Sequence, residues 1–142
     1  MNDKEIMKVA IEEAKKGDFP FGAVIACNGE IIIQTHNKAE KLDPTLHAET
    51  NAIRQACEKL NTIELKNCVL YSTCEPCPMC FMAAWWAKIP KIVYGAEAED
   101  IQEDDWKINV KCSYLNEKSS NCIKIVSGVL KKECLKLLGI KK

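Results

Sequence analysis

Two short segments hold the side chains with chemistry to offer: His47-Ala48-Glu49 and Cys74-Glu75-Pro76-Cys77-Pro78-Met79-Cys80. Cys77 and Cys80 are three residues apart, so at the start of a helix both thiols project from one face. Taken alone, the pair reads as a redox CxxC, as two core cysteines or as metal ligands. His47 adds a third donor. Two thiolates and one imidazole suit Zn²⁺ by softness and charge. Three protein ligands leave the fourth tetrahedral position open for water, the arrangement of a catalytic rather than a structural site. Glu49, two residues past His47, is too close in sequence to be a fourth ligand without distortion. It is well placed to accept a proton from that water. Backbone N–H groups near Ala48 and Cys77 are the candidates for stabilising the charge that develops on oxygen.

These residues need elements to position them. Ile6, Ala10 and Ala14 share a face over residues 3–16, which predicts a helix ended by Gly17. Residues 21–27 read as a strand, Asn28-Gly29 as a hairpin turn and Ile31-Ile32-Ile33 as the partner strand. The polar residues from Gln34 to Pro44 read as a loop. Ala48, Ala52, Ala56 and Leu60 form one buried stripe of a second helix from about His47, with Thr45 as a candidate cap. Residues 68–72 read as a strand. Pro78 lies near the first turn of a third helix, where its missing N–H costs little. That helix runs through Trp86 and stops before Pro90. Residues 91–94 and 122–126 read as strands, and Leu130, Cys134, Leu137 and Leu138 mark a last helix. A leading hairpin followed by alternating strands and helices predicts an α/β fold with a mixed sheet covered on both faces. The crossovers then leave helix N-termini at one edge of the sheet.

The two segments together resemble the cytidine deaminase-like superfamily, in particular its guanine deaminase and tRNA-adenosine deaminase branches. The similarity runs from about Phe21 to Gly95 and is densest at residues 21–24, 43–49 and 75–80. His-x-Glu followed by Pro-Cys-x-x-Cys is the pattern shared by zinc-dependent nucleobase deaminases. The resemblance implies a three-layer α/β/α sandwich with a five-stranded mixed sheet. It also implies one Zn²⁺ held by His47, Cys77 and Cys80, with Glu49 as the proton shuttle. Because the Pro-Cys pair matches the family pattern, Cys74 is left as a small core residue at a strand end. His36, the only other histidine, reads as a surface or hydrogen-bonding residue.

For the substrate, the resemblance points to a purine base or nucleoside, guanine first, with xanthine and ammonia as products. Phe21 and the Trp85-Trp86-Ala87 segment are similar to guanine deaminases, and Asp104 or Asp105 matches an Asp-Asp pair of that branch. Asn37 matches a substrate-binding asparagine of both branches. A carboxylate accepts the N–H donors along guanine's Watson–Crick edge. Six carboxylates between Glu97 and Asp105 would repel RNA phosphates. The segment 128–134 instead resembles the end of tRNA deaminases. Wobble-adenosine deamination in tRNA therefore stands as the rival, with Lys131, Lys132, Lys136, Lys141 and Lys142 as its basic patch. Cytosine or cytidine deamination, and an inactive zinc-stabilised binding subunit, are the further alternatives. The branches are oligomeric, and the apolar surface near Trp85 and Trp86 is a candidate homodimer contact.

Composition is that of an ordinary globular domain. The chain has 142 residues, 47% hydrophobic and 28% charged, enough for one domain over 1–142 with a real core. Lys+Arg and Asp+Glu are each 20, and Arg54 is the only arginine, so no global field draws nucleic acid or an anionic membrane. The charged start and the absence of a long apolar run predict a cytoplasmic protein. Nine cysteines, an odd number, read as buried small side chains plus metal or catalytic thiols.

Overall fold

The computed structural model describes residues 1–17, 19–39 and 43–139, together with the backbone but not the side chain of Asp104. Helix α1 (Asp3–Ala14) is capped by the Asn2 side chain, which accepts from the Glu5 N–H at 2.8 Å. β1 (Gly22–Cys27) and β2 (Glu30–His36) form the predicted hairpin. Asn28 and Gly29 both have positive φ (54° and 79°), as a tight hairpin turn requires. α2 (Ala48–Leu60), β3 (Cys68–Cys74), α3 (Pro78–Trp86) and β4 (Lys91–Ala96) follow in the expected order. Two short 3₁₀ turns, Ala98–Asp100 and Asp104–Trp106, then lead to α4 (Cys112–Lys118), β5 (Lys124–Val126) and α5 (Lys131–Leu137).

The sheet has five strands in the order β2-β1-β3-β4-β5. β1 pairs antiparallel with both β2 and β3, while β3, β4 and β5 run parallel. Alternation along each strand divides the core into two layers. Ala23 and Ile25 face α2, α3 and α4 with Leu70 and Ile92. Val24 and Ala26 face α1 and α5 with Tyr71 and Val93. The result is the expected three-layer α/β/α sandwich. On the first face the alanine stripe of α2 (Ala48, Ala52, Ala56) is fully buried, and Phe81 of α3 fills the space beside it. On the other face Gly22 lets β1 pass close to α1, since a Cβ there would land on the Ala10 carbonyl. Among the described residues no helix is long and apolar enough to cross a membrane.

Four expectations need correction. The stretch read as loop from Gln34 is still strand as far as His36, because Thr35 is buried opposite Ala23 and its hydroxyl donates to the Ala48 carbonyl at 2.7 Å. His47, not Thr45, stands at the N-cap of α2. Thr45 instead turns on Asp43, which accepts from its N–H (2.8 Å) and hydroxyl (2.6 Å). The segment between residues 94 and 122, which reads from sequence as irregular, holds a helix, α4, whose seven residues are too few to show a periodicity. Finally, the cysteines are not all thiols. Cys27 and Cys68 are disulfide-bonded across the last register pair of β1 and β3.

His36 makes a hydrogen-bonding contact, as read. Its Nδ1 lies 3.0 Å from the Glu13 carboxylate of α1, which also accepts from Gln34 (3.2 Å) and Lys16 (3.3 Å). Burial raises the Glu13 pKa, but the hydrogen bonds from His36, Gln34 and Lys16 outweigh it and hold the carboxyl below its ordinary value of 4.5. A group with a depressed folded value stabilises the fold above its unfolded pKa, and that stability is lost as pH falls through the folded value. Glu13→Gln is therefore expected to cost roughly 1–2 kcal/mol at neutral pH. Urea midpoints of the two proteins should converge as pH drops below 4.5. A gap that persists unchanged in acid would refute this account.

Candidate metal centre and pocket

β3 delivers Cys74 to the edge of the sheet, and Glu75-Pro76 turns the chain into α3. Cys77 is the N-cap of α3, Pro78 opens the helix, and Cys80 follows within the first turn. His47 occupies the same place before α2. Both helices follow strands of the central sheet, so their N-termini meet at one edge, as the topology predicts. His47 Nδ1 lies 3.5 Å from Cys77 Sγ and 3.4 Å from Cys80 Sγ, and the two sulfurs are 3.6 Å apart. A tetrahedral centre with ordinary zinc bond lengths needs edges of about 3.6 Å between N and S and about 3.8 Å between S and S. The three side chains match that within a few tenths of an ångström, and they form the one candidate metal cluster among the described residues. Two soft sulfurs and an imidazole suit zinc in kind as well as in spacing.

Electrostatics around the cluster favour a cation. A hydrogen bond from the Cys80 thiol, with another from His47, outweighs burial and brings the Cys77 thiol down to about 4. His47 is raised, above all by its hydrogen bond to Cys77. Cys80 is pushed up by its bond to Cys77 and by complete burial. One proton shared by two sulfurs is what a dication replaces. Glu49 is almost fully buried on the first turn of α2. Burial, then the Cys77 thiolate, push its carboxyl up to about 7, while a cation at the three ligands acts in the opposite direction.

Cys74 lies at the end of β3, buried, with its sulfur 3.8 Å from the Glu97 carbonyl and its thiol pushed up by burial. It is outside the cluster, as read, although it borders the adjoining cavity. Ala48 and Cys77 sit at helix starts, where N–H groups lack intrahelical acceptors.

A cavity of about 520 Å³, within the ordinary range for small-molecule sites, opens onto His47, Glu49 and Cys77. Three residues proposed from sequence line it: Phe21, Asn37 and Asp105. Asn37 is buried, and its side-chain oxygen accepts from the Ala39 N–H at 2.8 Å. The Asp104 side chain lies outside the described residues. Sequence reasoning missed Phe19, Glu75 and Trp106. Trp106 meets Phe19 and Phe21 edge to face, with ring centres 5.0 and 5.9 Å away, and the three rings wall one side of the cavity. Its only sequence signal was its place next to Asp105, in a stretch without periodicity. Trp85 is half-buried, donating from its indole N–H to the Ser119 carbonyl at 2.7 Å, whereas Trp86 is 73% exposed.

Comparison with known proteins agrees with this geometry. The family model described as the cytidine and deoxycytidylate deaminase zinc-binding region matches residues 1–96. A tRNA-specific adenosine deaminase of Bacillus subtilis (strain 168) is 40% identical over 141 residues, covering 93% of this chain and 83% of that protein. A guanine deaminase of the same organism is 43% identical over 109 residues, covering 72% of this chain and 70% of that protein. A solved structure from studies of A-to-I editing by tRNA:A34 deaminases at the wobble position of transfer RNA superposes with a TM-score of 0.82. It is 31% identical and covers 94% of this chain and 99% of its own.

Purified protein should carry about one zinc per chain, from the three-ligand count. Cys77→Ala and Cys80→Ala should each lose it, and Cys74→Ala should keep it. Elemental analysis of the three variants checks the assignment; retention by both of the first two with loss in the third reverses it.

Proposed function

The chain belongs to the cytidine and deoxycytidylate deaminase zinc-binding family, and from that premise we propose that it removes the exocyclic amino group of a free purine base, guanine first, yielding xanthine and ammonia. His47, Cys77 and Cys80 would hold a zinc ion, which would supply a water acidified enough to be reactive at neutral pH. Glu49 is the catalytic carboxylate: it takes the proton and carries it to the departing nitrogen. The N–H groups of Ala48 and Cys77, at the starts of α2 and α3, are donors for charge developing on oxygen.

The observation that carries the substrate reading is the cavity lining. Phe19, Phe21 and Trp106 offer flat apolar surface for a base, with Asn37 and Asp105 as polar contacts. An ionised carboxylate only accepts hydrogen bonds, so Asp105 suits the N–H donors of guanine. Among the described residues the lining contains three carboxylates, Glu49, Glu75 and Asp105, and no lysine or arginine. That is a poor path for a phosphate chain. Lys131, Lys132 and Lys136 belong to α5, which packs on the sheet face opposite α2 and α3. Lys131 faces Asp100 at 3.6 Å. Lys141 and Lys142 lie outside the described residues.

Wobble-adenosine deamination in tRNA is the second reading, supported by the near full-length similarity to a tRNA-specific adenosine deaminase. Ammonia release from guanine, cytosine, cytidine and a tRNA anticodon stem-loop separates the readings. Guanine is expected to be turned over. Glu49→Gln should lower kcat by about 10²–10⁴-fold. Asp105→Asn should lower kcat/KM for guanine by about tenfold. Efficient inosine formation in the stem-loop with guanine untouched would overturn the proposal.

We also propose a homodimer that covers Trp86, a tryptophan 73% exposed. Sedimentation at micromolar concentration should show a dimer, with Trp86→Ala shifted toward monomer. A monomeric wild type would end that reading.

A further inference from the structure

The wall opposite the metal ligands, residues 98–112, forms none of the sheet's strand pairs. It nonetheless brings Ile101, Asp105, Trp106 and Ile108 to the cavity. Both of its ends are tied to the same group. Glu75, buried between Cys74 and Pro76, accepts from the Ala98 N–H through Oε1 at 3.0 Å and from the Cys112 N–H through Oε2 at 2.8 Å. Ala98 opens the first 3₁₀ turn and Cys112 opens α4. Each therefore presents a helix-start N–H that has no partner within its own helix, and a carboxylate is the favoured acceptor at such an end. The Cys112 thiol also donates to the Pro76 carbonyl at 3.3 Å, and Glu75's own N–H donates to Ala96 at 2.8 Å. Glu75 thus sits on the turn that delivers Cys77 and holds both ends of the segment that delivers Asp105 and Trp106.

We propose that Glu75 is a positioning residue that sets the distance between the substrate-facing wall and the metal ligands, and through it the fit of the base. The proposal rests on the reading of this cavity as the purine site. Both Glu75 oxygens accept from N–H groups of the wall, which leaves proton transfer to Glu49. Glu75 converts a stretch without strand pairing into a wall of fixed height, so its loss acts on binding before it acts on chemistry.

The test compares zinc-loaded wild type with Glu75→Gln and Ala98→Pro. A glutamine offers one acceptor oxygen, so one of the two N–H groups must face an NH₂ donor. Ala98→Pro removes a single donor from the other side of the contact. Glu97 already has the extended backbone (φ −84°, ψ 152°) that precedes a proline, and a helix start tolerates the ring. In Glu75→Gln, hydrogen exchange of backbone amides within 98–112 should quicken by at least about tenfold, while those of α2 and β3 stay protected. KM for guanine should rise about tenfold with kcat within about threefold and zinc content unchanged. Ala98→Pro should move both readouts the same way by less, and it decides the matter if Glu75→Gln does not fold. Unchanged exchange in 98–112 overturns the proposal. So does a loss confined to kcat and bound zinc, which would make Glu75 a support of the ligands alone. If wild type proves inactive on guanine, the exchange measurement still decides the clamp, and only the substrate reading falls.

Discussion

Three donor atoms from two distant stretches of chain must stand at the edges of one small tetrahedron before a metal can be held, and the sheet order is what brings them there. His47 precedes α2 and Cys77 precedes α3, thirty residues apart in sequence. β1 lies between β2 and β3, so the chain leaving β2 and the chain leaving β3 reach the same edge of the sheet. Small residues make the close approach possible. The alanine stripe of α2 lets its backbone settle against β1 and β2, where the Ala48 carbonyl accepts the buried Thr35 hydroxyl. Packing in this layer therefore acts directly on the spacing of the ligands.

The same burial gives the cluster its electrostatic character. Cys80 and Glu49 are held away from water, so each resists charge on its own. His47 and Cys77, half-buried, form a polarised pair beside them. A dication satisfies all of these groups together, which is the physical sense in which two thiols, an imidazole and a carboxyl belong to one centre. Cys74 is only a few residues from Cys77, but its sulfur points to the Glu97 carbonyl and stays apart.

The cavity has a second side of different construction. It is made from 3₁₀ turns and aromatic edge contacts rather than from paired strands. Such a wall has few backbone bonds of its own and depends on anchors at its ends. The zinc side of the cavity is built on the regular elements of the sheet layer, whereas the wall is where members of one family have room to differ.

The sequence by itself determined the zinc-site residue types, the hairpin and the α/β order, because each rests on local signals. His-x-Glu and Cys-x-x-Cys are spaced along single helix starts, Asn28-Gly29 is a turn in any context, and the alanine stripe repeats at helical period. Only the tertiary structure decided which residues share the cavity with them. Trp106 meets Phe19 and Phe21 edge to face from across the chain, and Glu75 joins Ala98 to Cys112, contacts with no periodicity to announce them. The Cys27–Cys68 pairing followed from the register of β1 on β3, and the extension of β2 to His36 from the burial of Thr35. A local spacing is written in neighbouring residues, whereas a buried carboxylate spanning two loops exists only once long-range packing has brought its partners together.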